Sequence, residues 1–237
     1  MKNRIRRYIA TAFLIFVAPI SFAGTLKVHV LDVGWGLAVV IETPNGKKYL
    51  FDGGGHTAAY NPARYFLTNR GIHVLDGLLV SHPHGDHWDA AKNVMDDTVA
   101  FAAGTAGIKK FYYTGDKYTG NGLYAQITNA VKARYTSTSS TNYVITVTGR
   151  TLAWGDPDIT VRVVSGRTSD VGLAGCADNE PNDTALAIQI IHGNNRIIIT
   201  GDAAERGFNL GAANFPAGEL RSQVLLLPHH GSATCLP

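Results

Sequence analysis

Sulfur is scarce in this chain, with two cysteines and two methionines in 237 residues. Cys176 and Cys235 lack Cys-x-x-Cys spacing, which excludes a redox dithiol or a cysteine-built structural zinc site made by them. Two readings stay open for the pair: one disulfide, or two separate thiols. Charge is scarce as well, at 16% of residues, and the formal +3 belongs to one end. Lys2, Arg4, Arg6 and Arg7 precede an uncharged apolar run from Tyr8 to Phe22. Without them 17 basic residues face 18 acidic ones, a net charge of −1. That balance gives no support for a generally nucleic-acid-binding surface, although a local basic patch is compatible with it. The apolar run is itself too short for a span, since a crossing helix needs about 20 such residues, and Pro19 interrupts it. With Ser21-Phe22-Ala23 as a small-x-small cleavage pattern, residues 1–23 read as a secretory signal rather than an uncleaved anchor. Residues 24–237 are then the mature domain, periplasmic or secreted, with no stable membrane anchor. Export places the cysteines where a disulfide can persist. Finally, the glycines after Asp52 lack a following Gly-Lys-Ser/Thr, so Gly53-Gly54-Gly55 reads as a tight turn before a helix rather than a phosphate cradle.

What the chain does have is a core, at 45% hydrophobic residues, arranged in short segments. Leu26 to Val33 alternates as a half-buried strand, Leu37 to Glu42 and Lys48 to Phe51 follow as strands, and Pro44-Asn45-Gly46 turns between them. Thr57 to Arg70 carries helical spacing and ends at Gly71. Gly77 to Ser81 reads as a buried strand. Asp89 is a candidate cap for a helix through Ala90, Ala91, Val94 and Met95. Lys109 to Tyr113 reads as a strand and Tyr124 to Tyr135 as a helix. Ser137 to Asn142 is a polar loop, followed by strands at Tyr143 to Val147, Thr151 to Trp154 and Ile159 to Val164. Gly166 to Asp183 is a long irregular stretch, expected near the mouth of a site. Thr184 to Ile191 and Arg196 to Thr200 form a hairpin about His192-Gly193-Asn194-Asn195, in which His192 is a turn residue. Ala203 to Leu210 looks helical and Leu220 to Leu227 is a last apolar strand. Strands and helices in this order, with so many apolar strands, need two sheets, and the expectation is an α/β fold with αββα layers.

Three strands stop at metal-ligand residue types. After Leu78-Leu79-Val80 come His82, His84, Asp86 and His87, four such side chains in six positions. A single histidine there would be an ordinary surface residue; three with a carboxylate among them read as a metal site, because clustered polar groups at a core's edge need a partner. In an extended segment His82 and His84 share one side while Asp86 and His87 turn to another, so one loop can serve two neighbouring ions. Asp202 ends a second strand, where Asp202 with Glu205 is also the pattern of a capping box. His229 and His230 follow a third.

At these residues the chain resembles the metallo-β-lactamase-like superfamily, whose His-x-His-x-Asp-His signature is matched at every position from His82 to His87. More specifically it resembles the hydrolase domain of bacterial competence DNA-uptake proteins and their stand-alone secreted relatives. The motifs are Leu31-Asp32-Val33-Gly34, Asp52-Gly53-Gly54, Ser81 through His87, Asn182-Asp183-Thr184, Thr200-Gly201-Asp202 and Pro228-His229-His230-Gly231-Ser232. The resemblance implies a four-layer αββα sandwich holding two zinc ions. His82 and His84 would bind the first, Asp86 and His87 the second, Asp202 would bridge them, and His229 or His230 would complete the set. It also implies a secreted hydrolase in which a zinc-bound hydroxide, oriented by Asp86 as the catalytic carboxylate, attacks a small or polymeric phosphoester such as nucleic acid. An amide or β-lactam hydrolase and a non-catalytic metal-binding or nucleic-acid-contact module are the alternatives. Three departures from the family pattern matter. No histidine stands between His87 and His192, so water, Asn182 or Asp183 must complete a weaker first site. Trp35 and Leu37 replace the Gln and Asp common in the first loop. Relatives continue past His-His-Gly-Ser through another strand and helix, so the stop at Pro237 is read as a truncation.

Overall fold

A computed structural model describes residues 24–55, 61–114, 122–135, 143–166 and 181–232. The signal segment 1–23, residues 57–60 of the expected first helix, the loop 137–142, most of the long irregular stretch, Cys176 and Cys235 lie outside the described residues.

The first sheet opens as the expected meander: β1 (Lys27–Val30), β2 (Val39–Glu42) and β3 (Lys48–Phe51) pair antiparallel. It continues through parallel partners β4 (Gly77–Leu79), β5 (Phe111–Tyr113) and β6 (Tyr143–Ile145). Parallel neighbours need crossovers, which are α1 (Pro62–Asn69), α2 (Gly85–Asp96) and α3 (Gly122–Arg134). The second sheet runs in the order β11 (Val224–Leu225), β10 (Asn195–Ile199), β9 (Ala187–His192), β8 (Ile159–Ser165), β7 (Thr151–Leu152). Its last helix is α4 (Glu205–Ala213).

The period of two along each strand sorts the side chains into layers. Val40, Leu50, Leu78, Phe111 and Tyr113 face the helices, where they meet Leu67 of α1, Trp88 and Val94 of α2, and Ile127 and Val131 of α3. Val39, Ile41, Tyr49, Phe51, Leu79 and Tyr112 face the other way, onto Val161, Val163, Ile188, Ile190 and Ile199 of the second sheet. Val164 and Ala187 turn outward under Phe208 of α4. The result is the αββα sandwich. Burial of each large side chain in these layers contributes roughly 1.5–3 kcal/mol. Tyr49 also ties the two sheets, its ring stacked on Trp154 at 3.8 Å and its hydroxyl donating to the Trp154 carbonyl at 2.9 Å. Among the described residues no helix is long and apolar enough to cross a membrane.

Several boundaries differ from those read off the sequence. Helix α2 starts at Gly85, with His84 as its N-cap, five residues ahead of the expected Asp89 cap. Packing decides this: Gly53 N–H donates to the His87 carbonyl at 2.9 Å, and Asp86 and His87 are buried in the helix's first turn. A side chain at Gly53 would put its Cβ 2.1 Å from Ala91 N, so only glycine allows this approach. Asp202 is not a helix cap, because α4 starts three residues later with Ala204 at its N-cap. The strand expected at Leu220 to Leu227 shrinks to β11, which has one neighbour and stays half-exposed.

Candidate metal centre

Parallel pairing of β3 with β4 brings the residues just past both strands to one edge. There the Ser81 backbone N–H donates to Asp52 Oδ1 at 2.7 Å and the Ser81 hydroxyl donates to Oδ2 at 2.6 Å. Asp52 Oδ2 also lies 2.8 Å from His87 Nδ1. A carboxylate only accepts, so Nδ1 carries the proton and His87 Nε2 is turned toward the other ligands. Asp52 holds this post from a left-handed backbone, φ 55°, which aspartate tolerates better than most residues. The sequence marks Asp52 as a strand end and as part of the Asp52-Gly53-Gly54 motif without giving it a role, since the pairing that brings it to His87 is not visible along the chain. An acidic residue ending a strand ahead of the histidine cluster was the available signal.

The second sheet supplies the opposite wall. Ser81 is also where the two halves touch, its carbonyl accepting from Leu186 N–H at 2.9 Å. Past β10, Asp202 comes to the cluster, and past β11, parallel to β10, comes His230.

Two ligand groups result. Asp86, His87, Asp202 and His230 offer atoms that all lie within 4.8 Å of one another, and so do His82, His84 and Asp202. In the first group His87 Nε2 is 3.1 Å from Asp202 Oδ1 and 3.5 Å from Asp86 Oδ2. His230 Nε2 is 3.0 Å from Asp86 Oδ2 and 3.5 Å from Asp202 Oδ2. In the second, His82 Nε2 is 3.0 Å from His84 Nδ1 and 3.6 Å from Asp202 Oδ2. Two donors about 2.0–2.1 Å from one tetrahedral ion stand roughly 3.3–3.4 Å apart, so this spacing suits an ion at each place. His87 Nε2 is buried and makes no hydrogen bond despite its carboxylate neighbours, as a nitrogen aimed at a cation would be. The residues present therefore fit a dinuclear metal site. All seven candidate ligands except His229 fall into these groups. The backbone N–H of His229 approaches the Gly201 carbonyl at 3.3 Å, and its ring centroid is 6.1 Å from that of His230. Asn182, proposed as a filler of the first shell, is buried with its Oδ1 unbonded.

Electrostatics prepares these groups differently. Burial drives the pKa of His82 well below the usual imidazole value, and the neighbouring imidazoles of His87, His84 and His230 push the same way. His82 is thus a neutral ring with a lone pair to give. Burial also acts to lower His87, but the Asp52 and Asp202 carboxylates outweigh it and raise the ring to about 10. An ion bound at Nε2 takes the place of a proton there. Burial pushes Asp52 up. On Asp202 the same burial is overcome by His87, with His230 and His229 adding to it, so its carboxyl stays below the ordinary range and ionised.

A cleft of ≈ 310 Å³ lies elsewhere, lined by Leu31, Asp32, the α1 residues Tyr65 and Phe66, and Arg70 just past that helix, and contains none of the ligands. Donor atoms, not cavity size, define the centre.

Residues 31–233 match the sequence profile of the Metallo-beta-lactamase superfamily. No curated protein matches the chain. Among solved structures it is similar to the metallo-beta-lactamase fold protein YhfI from Bacillus subtilis, at 16% identity and TM-score 0.44, over 75% of this chain and 63% of that one. It is also similar to CmlA, a diiron beta-hydroxylase from Streptomyces venezuelae, at 15% identity and TM-score 0.43, over 76% of this chain and 30% of that one. Zinc-bound PqqB from Methylobacterium extorquens is similar at 11% identity and TM-score 0.40, over 68% of this chain and 51% of that one. The chain spans less than two thirds of the length of each.

Proposed function

The chain belongs to the metallo-β-lactamase superfamily, and from that premise we propose that it is a metal-dependent hydrolase of phosphoesters that works with two zinc ions. The observation that carries this reading is Asp202, a single buried carboxylate shared by both ligand groups, one oxygen facing His87 and the other His82 and His230. A shared carboxylate is what a pair of ions a few ångströms apart requires. Imidazole and carboxylate donors suit zinc. Bound there, the ions would supply Lewis acidity toward an ester oxygen and make water acidic enough to attack near neutral pH. The chain's own part is positional. His82 and His87 are held rigid from behind by Ser81 and Asp52, and Asp86 orients the attacking water from the first turn of α2. The phosphoester assignment rests on the resemblance of the strand-end motifs to those of the hydrolase domain of competence DNA-uptake proteins. Export rests on the basic, apolar and small-x-small sequence of residues 1–23.

The test is metal analysis with turnover. Purified protein is expected to hold close to two zinc ions and to hydrolyse bis(p-nitrophenyl) phosphate, and Asp86→Ala should lower kcat on the order of 10²-fold or more. Zinc bound without turnover of any phosphoester, carboxylic ester or β-lactam would make the chain a binding module. Turnover of β-lactams alone would move it to amide hydrolysis.

A further inference from the structure

Of the three tryptophans, Trp88 and Trp154 are buried at 1% and 3% exposure, while Trp35 is 68% exposed. Lone exposed apolar residues are ordinary on protein surfaces, so exposure by itself assigns nothing. Position does. The Trp35 ring centroid lies 4.8 Å from that of His230, tilted by 37°, so the indole borders a ligand of the four-membered group.

The loop that carries it is pinned on both flanks. Before the tryptophan, Leu31 and Val33 pack against the helix-layer core, and Leu31 N–H donates to the Ala38 carbonyl at 3.0 Å. After it, Gly36 adopts φ 116° and passes so close to the first turn of α2 that a Cβ would sit 2.0 Å from the Asp86 carbonyl oxygen. Only glycine can hold that place. A large flat side chain is therefore fixed at the rim of the reacting centre by chain packed against a metal ligand's own backbone, with most of its surface left to solvent.

We propose that Trp35 is a stacking platform for a planar aromatic ring of the substrate, which makes the substrate a phosphodiester with a nucleobase beside the scissile bond. This rests on the phosphoester reading above, because among the phosphodiesters of biological polymers it is the nucleic acids that carry a flat ring on every sugar beside the ester. Stacking on an indole accepts any base and needs that base unpaired, so the class is single-stranded or short oligonucleotide rather than duplex.

Two measurements on the zinc-loaded protein test it. The first compares the deoxyadenosine dinucleotide with its abasic counterpart, which has the same sugar and phosphate and no bases. Wild type should favour the dinucleotide in kcat/KM by roughly 5- to 150-fold, the span of base stacking on an aromatic side chain. Trp35→Ala should collapse that ratio through KM, and Trp35→Phe should keep most of it. Loss of bound zinc in Trp35→Ala, or an equal loss on both substrates, would make the indole a mere prop for His230 and overturn the proposal. The second is fluorescence, since the exposed emission comes from one indole. Deoxyadenosine 5′-phosphate should quench it and shield it from acrylamide, whereas ribose 5-phosphate should do neither. Equal effects of the two ligands, or none, would also overturn it. If no phosphoester is turned over, the hydrolase reading falls, while the fluorescence result still decides whether Trp35 stacks on a base.

Discussion

His229 and His230 are neighbours in sequence with the same unfavourable left-handed backbone, φ 49° and 54°, yet only His230 lies in a ligand group. Such strain, of order 1–3 kcal/mol per residue, persists where surrounding structure enforces it, often at a functional site. His230→Ala should lower zinc stoichiometry by about one ion, while His229→Asn, which tolerates that backbone, should leave it unchanged; plasma emission analysis reads both. Asp52 acts one step removed, fixing the His87 ring. Asp52→Ala should weaken metal affinity roughly 10- to 100-fold, measured by competition with a chromophoric chelator. Asp97 shows a purely structural carboxylate. The backbone N–H groups of Ala100 and Val99 donate to it at 2.9 and 3.1 Å, Arg64 pairs with it, and the backbone bond from Ala100 leads in holding its pKa below the ordinary value. A carboxyl lowered on folding contributes stability above its unfolded pKa of about 3.9 and loses it as pH falls through the folded value. Asp97→Ala should therefore cost about 1 kcal/mol at pH 7, with the gap to wild type closing below about pH 4 in urea denaturation.

Elements were legible in the sequence wherever one period governed them. The meander β1 to β3 and the hairpin β9–β10 follow from alternation and turn residues, and the hairpin closes with His192 opposite Asn195. Strands β4 and β5 are buried on both faces, so their apolar runs reveal a strand but not its partners. That is why the role of Asp52 stayed hidden: it depends on the pairing of Phe51 with Leu79. Helix α2 began earlier than its capping signal because Gly53 lets β3 run against it. Gly53→Ala should push the helix's first turn, with Asp86 and His87, away from its seat. The expected loss is about 1–3 kcal/mol of stability, accompanied by weaker metal binding in the same thermal melts.

At the scale of the whole molecule, the donors span residues 82 to 230 and their meeting could be inferred from motif order but not from any local pattern. The two groups are unequal, four donors against three. A zinc titration should be biphasic, with the tighter equivalent belonging to Asp86, His87, Asp202 and His230, and His84→Ala should abolish the weaker phase alone. Excess chelator should lower Tm, since ions that bind only the folded chain stabilise it by mass action.

His230 hangs from β11, two residues long, which borders β10 with Gln223 N–H on the Arg196 carbonyl and Leu226 N–H on that of Ile198, at 2.9 and 3.0 Å, and with the Thr200 hydroxyl donating to the Leu226 carbonyl at 2.8 Å. A strand so short has few fastenings of its own, and a cation held by His230 would add one at its far end. Deuterium uptake after chelation should accordingly rise first at the Gln223 and Leu226 amides, well before β8 and β9 yield, so that metal loading is legible as the local opening rate of one edge strand.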